Sequence, residues 1–243
     1  MWYNYTMKNC LFLDFDGVLF DTLKEAYLLC RFAFIGIDFF EPIDENEYRR
    51  FYRYKFLVFN SWQYYYLMYL LQKNLSDNEL ISKFSLCLID RKLSAEEEFD
   101  KKYYSARKEL MQNHHEFWDS LEKPFPFFDG IKQYSDDVVI VSKKNKEAIN
   151  YRLKQHGLIL PTDRIFGKDE LITYRTKADF ISEYILQKNI ENALFVDDNS
   201  NNLRPAASIP NLTCLLAGWG NIAIGEKGYS EEEILDIIRK NYI

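Results

Sequence analysis

The sequence predicts an α/β protein with a three-layer core, in which a parallel sheet lies between helices, and with an inserted helical domain. Three observations favour this fold. Short apolar runs end in polar residues, as buried parallel strands do at their carboxyl edge. From Val138 onward such runs alternate with helical patterns, which is typical of a parallel sheet. Between the first run and Val138 lies a long segment in which helical spacing dominates.

The first predicted strand is Cys10 to Leu13, followed by Asp14, Asp16 and Gly17. Four successive apolar residues beside a glycine suit a strand that is covered on both faces. Gly17 allows the backbone to turn sharply without a side-chain clash. Ligand sites in open parallel sheets collect outside the carboxyl ends of the strands, so the two acids stand where chemistry is expected. An isolated Asp-x-Asp is nevertheless more often a solvated strand end.

The inserted domain is predicted to span residues 22–122, which leaves 1–21 and 123–243 as the core. Helical patterns there are broken near Pro42, at Leu75 to Asn78 and at Leu93. The prolines in Lys123 to Pro126 indicate a hinge that returns the chain to the core. The aromatic-rich stretch from Tyr48 to Tyr69 is interpreted mainly as helix packing, with a lining for a substrate chamber as the alternative. Within it, three arginines are candidates either for binding an anionic group or for a solvated face: Arg49, Arg50 and Arg53.

The remaining strands also end beside polar residues. Val138 to Val141 leads to Ser142, and Ala193 to Val196 leads to Asp197 and Asp198. The other predicted strands are Arg164 to Phe166 and Leu212 to Leu216. Predicted helices run to His156 with Gly157 as the stop signal, from Thr176, and after a capping box formed by Ser230 and Glu233.

The order Asp-x-Asp-Gly, strand-Ser, helix-Lys, strand-Asp-Asp resembles the haloacid dehalogenase superfamily, whose members are mostly Mg-dependent phosphotransferases. Residues 14–22, Asp-Phe-Asp-Gly-Val-Leu-Phe-Asp-Thr, are similar to the phosphoglycolate phosphatase and β-phosphoglucomutase type, which has a Rossmann-like core and a helical cap inserted after this motif. Phe195 to Asp198 together with Asn202 to Ala206 look like the phosphatase domain attached to soluble epoxide hydrolases.

The resemblance implies a role for each acid. Asp14 would be the nucleophile that forms an aspartyl-phosphate, and Asp16 would protonate the leaving alcohol and then activate water. Dehalogenases of the superfamily lack the second aspartate, so Asp16 favours phosphate monoesters. Mg²⁺ would be held by Asp14, the Asp16 carbonyl and Asp198. Asp197 is either a second metal ligand or the group that orients Lys177.

The candidate phosphate-binding residues are Ser142, Lys143 and Lys177, of which Ser142 and Lys177 are also candidate catalytic groups. By itself, however, the run Lys143, Lys144 and Lys146 is typical of a solvated helix start, and Ser142 alone would suit a helix cap.

Two departures from the family pattern affect the site. Many members carry an aspartate where this chain has Asn202, and the missing charge predicts weaker metal binding. The second departure is that the motif lysine lacks the following proline that is common in close relatives, and the sequence offers two candidates for it, Lys177 and Lys168. One helix and a turn fit the shorter gap between Lys177 and Asp198, so Lys177 is preferred.

Composition and net charge limit the classes of binding partner that the sequence predicts. The chain has 243 residues, 47% of them hydrophobic and 28% charged, with a net charge of -6, as in a folded soluble protein. The acidic balance predicts no nucleic-acid or membrane partner, and the absence of an apolar leader predicts a cytoplasmic location. Four scattered cysteines and three histidines show no metal-ligand spacing, so neither disulfides nor zinc are expected.

These observations predict a Mg-dependent phosphatase acting on a small phosphorylated metabolite. Two alternatives stay open. One is a sugar-phosphate phosphomutase of the same superfamily, which would keep both Asp14 and Asp16. The other is a catalytically weak protein whose aromatic cap serves as a binding surface, an idea that Asn202 and the unusual cap motivate.

Overall fold

The structure, a computed structural model, describes residues 9–242, and side chains up to Asn241. It divides the chain into two compact units. The core unit consists of the described residues up to Asp21 together with the chain from Pro124 onward, and the inserted unit is Thr22–Lys123.

The core unit is built on a parallel sheet. Its strands are β1 (Asn9–Leu13), β4 (Val138–Val141), β5 (Ile165–Phe166), β6 (Asn192–Asp197) and β7 (Leu212–Leu216); β2 (Phe20–Asp21) and β3 (Lys123–Pro124) lie outside it. The strand order is β5-β4-β1-β6-β7, and every neighbouring pair is parallel. After β1 the chain adds β4 and β5 on one side of it, and then β6 and β7 on the other side. The strand order therefore reverses at β1.

The helices alternate with the later strands. Those of the inserted unit are α1 (Leu23–Ile35), α2 (Glu45–Tyr54), α3 (Tyr64–Leu71), α4 (Asp77–Ile89), α5 (Leu93–Asn113) and α6 (His115–Leu121). Those of the core unit are α7 (Pro126–Ile131), α8 (Lys146–Gln155), α9 (Lys168–Leu171), α10 (Lys177–Lys188), α11 (Ser200–Ala206) and α12 (Glu231–Tyr242). The predicted α/β class with an inserted helical domain is confirmed.

Two apolar clusters cover the faces of the sheet, and together they give the three layers. Because side chains alternate along a strand, Leu11 and Leu13 face one cluster while Cys10 and Phe12 face the other. The first cluster includes residues of α7, α8 and α12, such as Phe127 and Ile234. The second includes residues of α9, α10 and α11. Burial on both faces explains why β4 and the central residues of β1 and β6 are apolar at successive positions.

The predicted strand bounds differ from the observed ones by small shifts. β4 and β7 match the prediction, and β6 extends one residue further at each end. Arg164, predicted as strand, instead closes a short 3₁₀ turn before β5. The predicted capping box of α12 is confirmed: the Ser230 N–H donates to Glu233, and the Glu233 N–H donates to the Ser230 hydroxyl.

Much of the aromatic-rich stretch of the inserted unit packs within that unit. Phe51 and Tyr64 stack at 5.6 Å, and Tyr64 stacks on Tyr103 at 5.8 Å. Two of the arginines considered for anion binding have protein partners. The Arg50 guanidinium donates to the carbonyls of Leu71 and Lys73, at the end of α3, and Arg53 pairs with Asp77.

The inserted unit also contains a buried ion pair that its sequence pattern does not reveal. Glu25 is fully buried and accepts hydrogen bonds from Arg107 Nε at 2.9 Å and Nη2 at 3.0 Å. The Trp118 indole N–H donates to the same carboxylate at 2.8 Å. These contacts join α1, α5 and α6. The four cysteines are free. Within the described residues, no helix combines the length and apolarity that crossing a membrane requires.

Candidate active site

The candidate site lies at the carboxyl edge of the sheet, where three strands end together. Leu13 of β1 is in register with Ile140 of β4 and with Val196 of β6. The residues that follow these positions therefore emerge side by side, and the Asp14 N–H donates to the Val196 carbonyl at 3.0 Å. Gly17 turns the chain after β1 with φ +83°, a conformation that L side chains rarely adopt.

Lys177 connects two of the predicted acids. Its Nζ lies 2.8 Å from Asp14 Oδ2 and 2.8 Å from Asp197 Oδ2. The lysine is the first residue of α10, and the Thr176 hydroxyl before it accepts from the Asp179 N–H, so the helix start fixes its position. Lys168 opens the shorter α9 instead. The structure thus brings Lys177 to these acids, as the chain spacing favours.

These charges perturb one another strongly because they are buried. Burial raises the pKa of Asp14 to about 7; Lys177 opposes the rise, whereas Asp197 and Asp198 reinforce it. Burial acts to lower the pKa of Lys177, but the charges of Asp14 and Asp197 outweigh it and hold the pKa above its ordinary value. Lys177 is therefore a permanent cation among carboxylates.

Asp197 is surrounded by donors. In addition to Lys177, its carboxylate accepts the Asn199 N–H at 2.8 Å and the Asn202 side-chain amide at 3.0 and 3.1 Å. An aspartate at position 202 would place a negative charge where the amide now donates. Asn202 is thus a neutral anchor for Asp197, and this geometry favours Asp197 as the group that orients Lys177.

Asp198 is held from the opposite side by the loop after β7. The Asn221 backbone N–H and side-chain Nδ2 both donate to its Oδ2, at 2.7 and 2.9 Å. A Cβ at Gly17 would lie 1.9 Å from this oxygen, and one at Gly220 would lie 2.4 Å from Asp198 Cβ. Both positions require glycine because the backbone passes so close to the carboxylate.

Asp16 has a different environment. Its side chain is 34% exposed, and its Oδ1 lies 3.3 Å from Nζ of Lys144, whose side chain is fully buried. The expectation that Lys144 belongs to a solvated helix face is therefore wrong: α8 begins only at Lys146, and Lys144 lies in the turn that precedes it. The turn carries the lysine inward, onto Asp16 and 5.6 Å from the Phe15 ring.

Ser142 and Lys143 lie at the end of β4. Ser142 is 1% exposed, and its Oγ accepts from the Lys144 N–H at 3.4 Å; the N-cap of α8 is Asn145, not Ser142. Lys143 is half-buried. Burial and the neighbouring Lys177 charge lower the pKa of Lys143, while Asp14 and Asp197 oppose that shift.

The donor set suits a hard divalent cation. Carboxylate oxygens of Asp14, Asp197 and Asp198 lie within 4.8 Å of one another, and all three residues are buried. Such oxygens are the ligands that Mg²⁺ prefers. The three carboxylates outnumber Lys177, which contacts two of them, and Lys143, whose charge acts on the same two. This excess of carboxylates fits a cation site.

Sequence reasoning missed Lys144 and Asn221. Lys144 lies in a short run of charged residues, which by itself indicates a solvated surface. Asn221 lies in the glycine-rich loop Gly-Trp-Gly-Asn that follows β7. Because residues after parallel strands meet at one edge of the sheet, its place after β7 is the available signal.

The fold is similar to that of solved structures described as haloacid dehalogenase-like hydrolases and phosphatases. No protein-family model matches the sequence, and no curated protein sequence matches it. The structural likeness confirms the fold that the sequence resemblance predicts.

Three solved structures illustrate the likeness. A haloacid dehalogenase-like family hydrolase from Streptococcus pneumoniae has a TM-score of 0.57 at 16% identity, covering 96% of this chain and 99% of that one. A predicted phosphatase from Clostridium acetobutylicum has a TM-score of 0.61 at 15% identity, with coverages of 96% and 99%. A predicted phosphoglycolate phosphatase from Haemophilus somnus has a TM-score of 0.59 at 14% identity, with coverages of 96% and 98%.

Proposed function

We propose that this chain is a Mg-dependent phosphatase that hydrolyses a small phosphomonoester through an aspartyl-phosphate on Asp14. The observation that carries the proposal is the buried group of Asp14, Lys177, Asp197 and Asp198 at the switch point of the sheet, with Asp16 at the adjoining turn. The names of the structural neighbours, hydrolases and phosphatases, support the same reaction class.

In the first step, a carboxylate oxygen of Asp14 attacks phosphorus while the bond to the ester oxygen breaks. Asp16 transfers its proton to that leaving oxygen, and the alcohol departs. In the second step, water attacks the phosphorus of the aspartyl-phosphate and gives a proton to Asp16, while the bond between phosphorus and Asp14 breaks. Phosphate is released and free Asp14 is regenerated. General acid and base catalysis of this kind contributes about 10²- to 10⁴-fold in rate.

The surrounding residues supply charge and orientation. Lys177, fixed by Asp197, would donate a charge-assisted hydrogen bond to the phosphoryl group, and the Ser142 hydroxyl would donate another. Lys143 adds positive charge nearby, and Lys144 holds Asp16. Asp14 and Asp198 with the Asp16 carbonyl would hold Mg²⁺, which when bound would neutralise repulsion between the phosphate and the acids and polarise the phosphoryl oxygens.

The proposal is tested by measuring phosphate release from a panel of phosphomonoesters with Mg²⁺ and with a chelator. Asp14→Asn should reduce release by at least about 10⁴-fold, since nucleophile removal in enzymes costs this much or more. The matched control is Asp169→Asn, which alters an exposed aspartate of α9 and should leave release unchanged. No release from any ester by folded wild-type protein would contradict the proposal.

The same assay separates the phosphomutase alternative. A mutase would convert a sugar phosphate into its isomer with Asp14-dependent kinetics and would release little phosphate. Phosphate accumulating in proportion to the ester consumed supports the phosphatase, and isomer accumulating without phosphate supports the mutase.

A further inference from the structure

Asn221 makes an unusual double contact with Asp198. Its backbone N–H and its side-chain Nδ2 both donate to the same oxygen, Oδ2, at 2.7 and 2.9 Å. Asp198 is only 5% exposed, so these are charge-assisted hydrogen bonds in a largely dry environment. One residue of the loop after β7 thus fixes the rotamer of an acid at the end of β6.

The loop reaches Asp198 only because two glycines let three chain segments converge. A Cβ on Gly17 would lie 1.9 Å from Asp198 Oδ2 and 2.8 Å from Asn221 Nδ2. A Cβ on Gly220 would lie 2.4 Å from Asp198 Cβ and 2.4 Å from the Gly17 carbonyl. The turn after β1, the end of β6 and the loop after β7 are therefore packed around a single carboxylate.

The contact fixes the orientation of the Asn221 amide. The flipped amide would direct Oδ1 at Asp198 Oδ2, and two acceptors would repel each other. In the observed orientation Oδ1 is buried and has no hydrogen-bond partner. Buried acceptors are nearly always paired in folded proteins, so leaving Oδ1 unpaired is a cost that accompanies the two donor contacts to Asp198.

We propose that Asn221 is a positioning residue of the cation site: its two donors clamp Asp198 and hold the carboxylate in one orientation before a cation binds. Residues that orient the ligands of a metal in this way contribute to its affinity. The inference rests on the proposed function, because that function places a divalent cation at Asp198. It adds a residue that the spacing of the acids does not identify.

The test measures cation affinity directly, by calorimetric titration of Mg²⁺, and in parallel of Mn²⁺, into wild-type protein and two variants. Asn221→Leu keeps the number and branching of the side-chain heavy atoms and removes the side-chain donor and acceptor. Asn221→Ala removes them with a smaller side chain that fits the same space. Both should bind Mg²⁺ about 10- to 100-fold more weakly, the usual cost of losing a residue that supports metal ligands. The control is Asn201→Ala, at an exposed asparagine of α11, which should bind as wild type does.

A second readout separates cation positioning from a purely structural role. Binding to the folded state raises the melting temperature in proportion to the logarithm of ligand concentration over Kd. For both Asn221 variants, the rise in Tm produced by a fixed Mg²⁺ concentration should shrink. A merely structural residue would lower Tm equally with Mg²⁺ and with chelator, and this pattern would overturn the inference.

The outcomes also distinguish this inference from the proposed function. Wild-type protein that binds Mg²⁺ and releases phosphate, with Asn221 variants of unchanged affinity, would overturn only the role of Asn221. Wild-type protein that neither binds Mg²⁺ nor releases phosphate would overturn both. Weakened binding in Asn221→Leu and Asn221→Ala, with Asn201→Ala unchanged, would establish the role.

Discussion

Each unit of this chain buries a charged cluster, and the two clusters differ in how their charges balance. In the inserted unit, one carboxylate, Glu25, faces one guanidinium, Arg107, with two parallel hydrogen bonds. In the core unit, Lys177 contacts Asp14 and Asp197, and Asp198 adds a third carboxylate within 4.8 Å. The first cluster has one acid for one cation, whereas the second has three acids for two cations, Lys177 and the half-buried Lys143.

This difference favours the core cluster, and not the Glu25–Arg107 pair, as the place where a ligand would bind. A neutral pair with all its hydrogen bonds formed needs no further partner, and it joins elements distant in the chain. A buried negative excess costs stability until a cation or a proton neutralises it. Burial raises the pKa of Asp14 to about 7, and the charges of Asp197 and Asp198 add to the rise although Lys177 opposes it. Charge balance thus favours the core cluster as the candidate site.

The largest expected effect comes from removing one charge from each cluster by an isosteric change. Glu25→Gln leaves Arg107 buried without its counter-charge and should lower the free energy of unfolding by about 3–5 kcal/mol. Asp14→Asn removes a carboxylate whose burial, together with repulsion from Asp197 and Asp198, outweighs its pairing with Lys177, so it should raise the free energy of unfolding by about 1–3 kcal/mol in chelator at pH 8. Urea unfolding of the two variants measures both effects. The control is Glu98→Gln, which breaks an exposed pair with Lys102 and should change stability by less than about 1 kcal/mol.

The Asp14 effect should also depend on pH in a defined direction. The pKa of Asp14 is raised from 3.8 to about 7 in the folded chain. Its stabilising contribution is therefore complete below pH 3.8 and is lost as pH rises through about 7. The stability advantage of Asp14→Asn should be small at pH 4 and reach its maximum above pH 7. A difference that is constant across this range would contradict the raised pKa of the buried Asp14.

The sequence predicted the strands and most of the acidic site because both depend on local pattern. Apolar runs such as Val138–Val141 are long enough to define buried strands, and parallel strands must bring their following residues to one edge. Lys177 could be preferred over Lys168 because the length of one helix limits the spacing.

The remaining features depend on contacts between distant residues. Glu25 and Arg107 are 82 positions apart, and neither stands in a motif. Lys144 looked solvated because its neighbours are polar, but the turn before α8 directs it inward to Asp16. Asn221 reaches Asp198 only because Gly17 and Gly220 permit the approach. Sequence periodicity predicts helices and strands, but it does not predict contacts such as these between residues distant in the chain.

Asp16 and Lys144 extend the comparison between the two clusters. Like Glu25 and Arg107 they pair one acid with one cation, but the side chain of Asp16 is partly exposed to solvent. If Lys144 holds Asp16 for proton donation, Lys144→Met should reduce kcat for an alkyl phosphate by about 10²-fold, the lower limit of general acid catalysis. An aryl phosphate with a good leaving group needs little protonation, so its kcat should fall much less. Steady-state kinetics on the two esters measures the ratio.

The control for this prediction is the same substitution in an Asp16→Asn background. Without the acid, Lys144→Met should cause no further selective loss of alkyl phosphate hydrolysis, because the two residues act together. Equal losses on both esters in the single variant would show that Lys144 supports only the fold, as Arg107 does.

The smallest expected effect comes from increasing the imbalance of the core cluster. Asn202→Asp replaces the amide that donates to both oxygens of Asp197 with a fourth carboxylate. Loss of hydrogen bonds to a charged group and added repulsion should lower metal-free stability by about 1–3 kcal/mol. The added charge should also tighten Mg²⁺ binding, so the rise in Tm with Mg²⁺ should exceed that of wild type.

Asn202→Ala separates the two causes, because it loses the donor without adding charge. Its metal-free stability should fall, while the rise in its Tm with Mg²⁺ should stay near the wild-type value. If both variants respond to Mg²⁺ alike, the charge excess is not what draws a cation to this cluster.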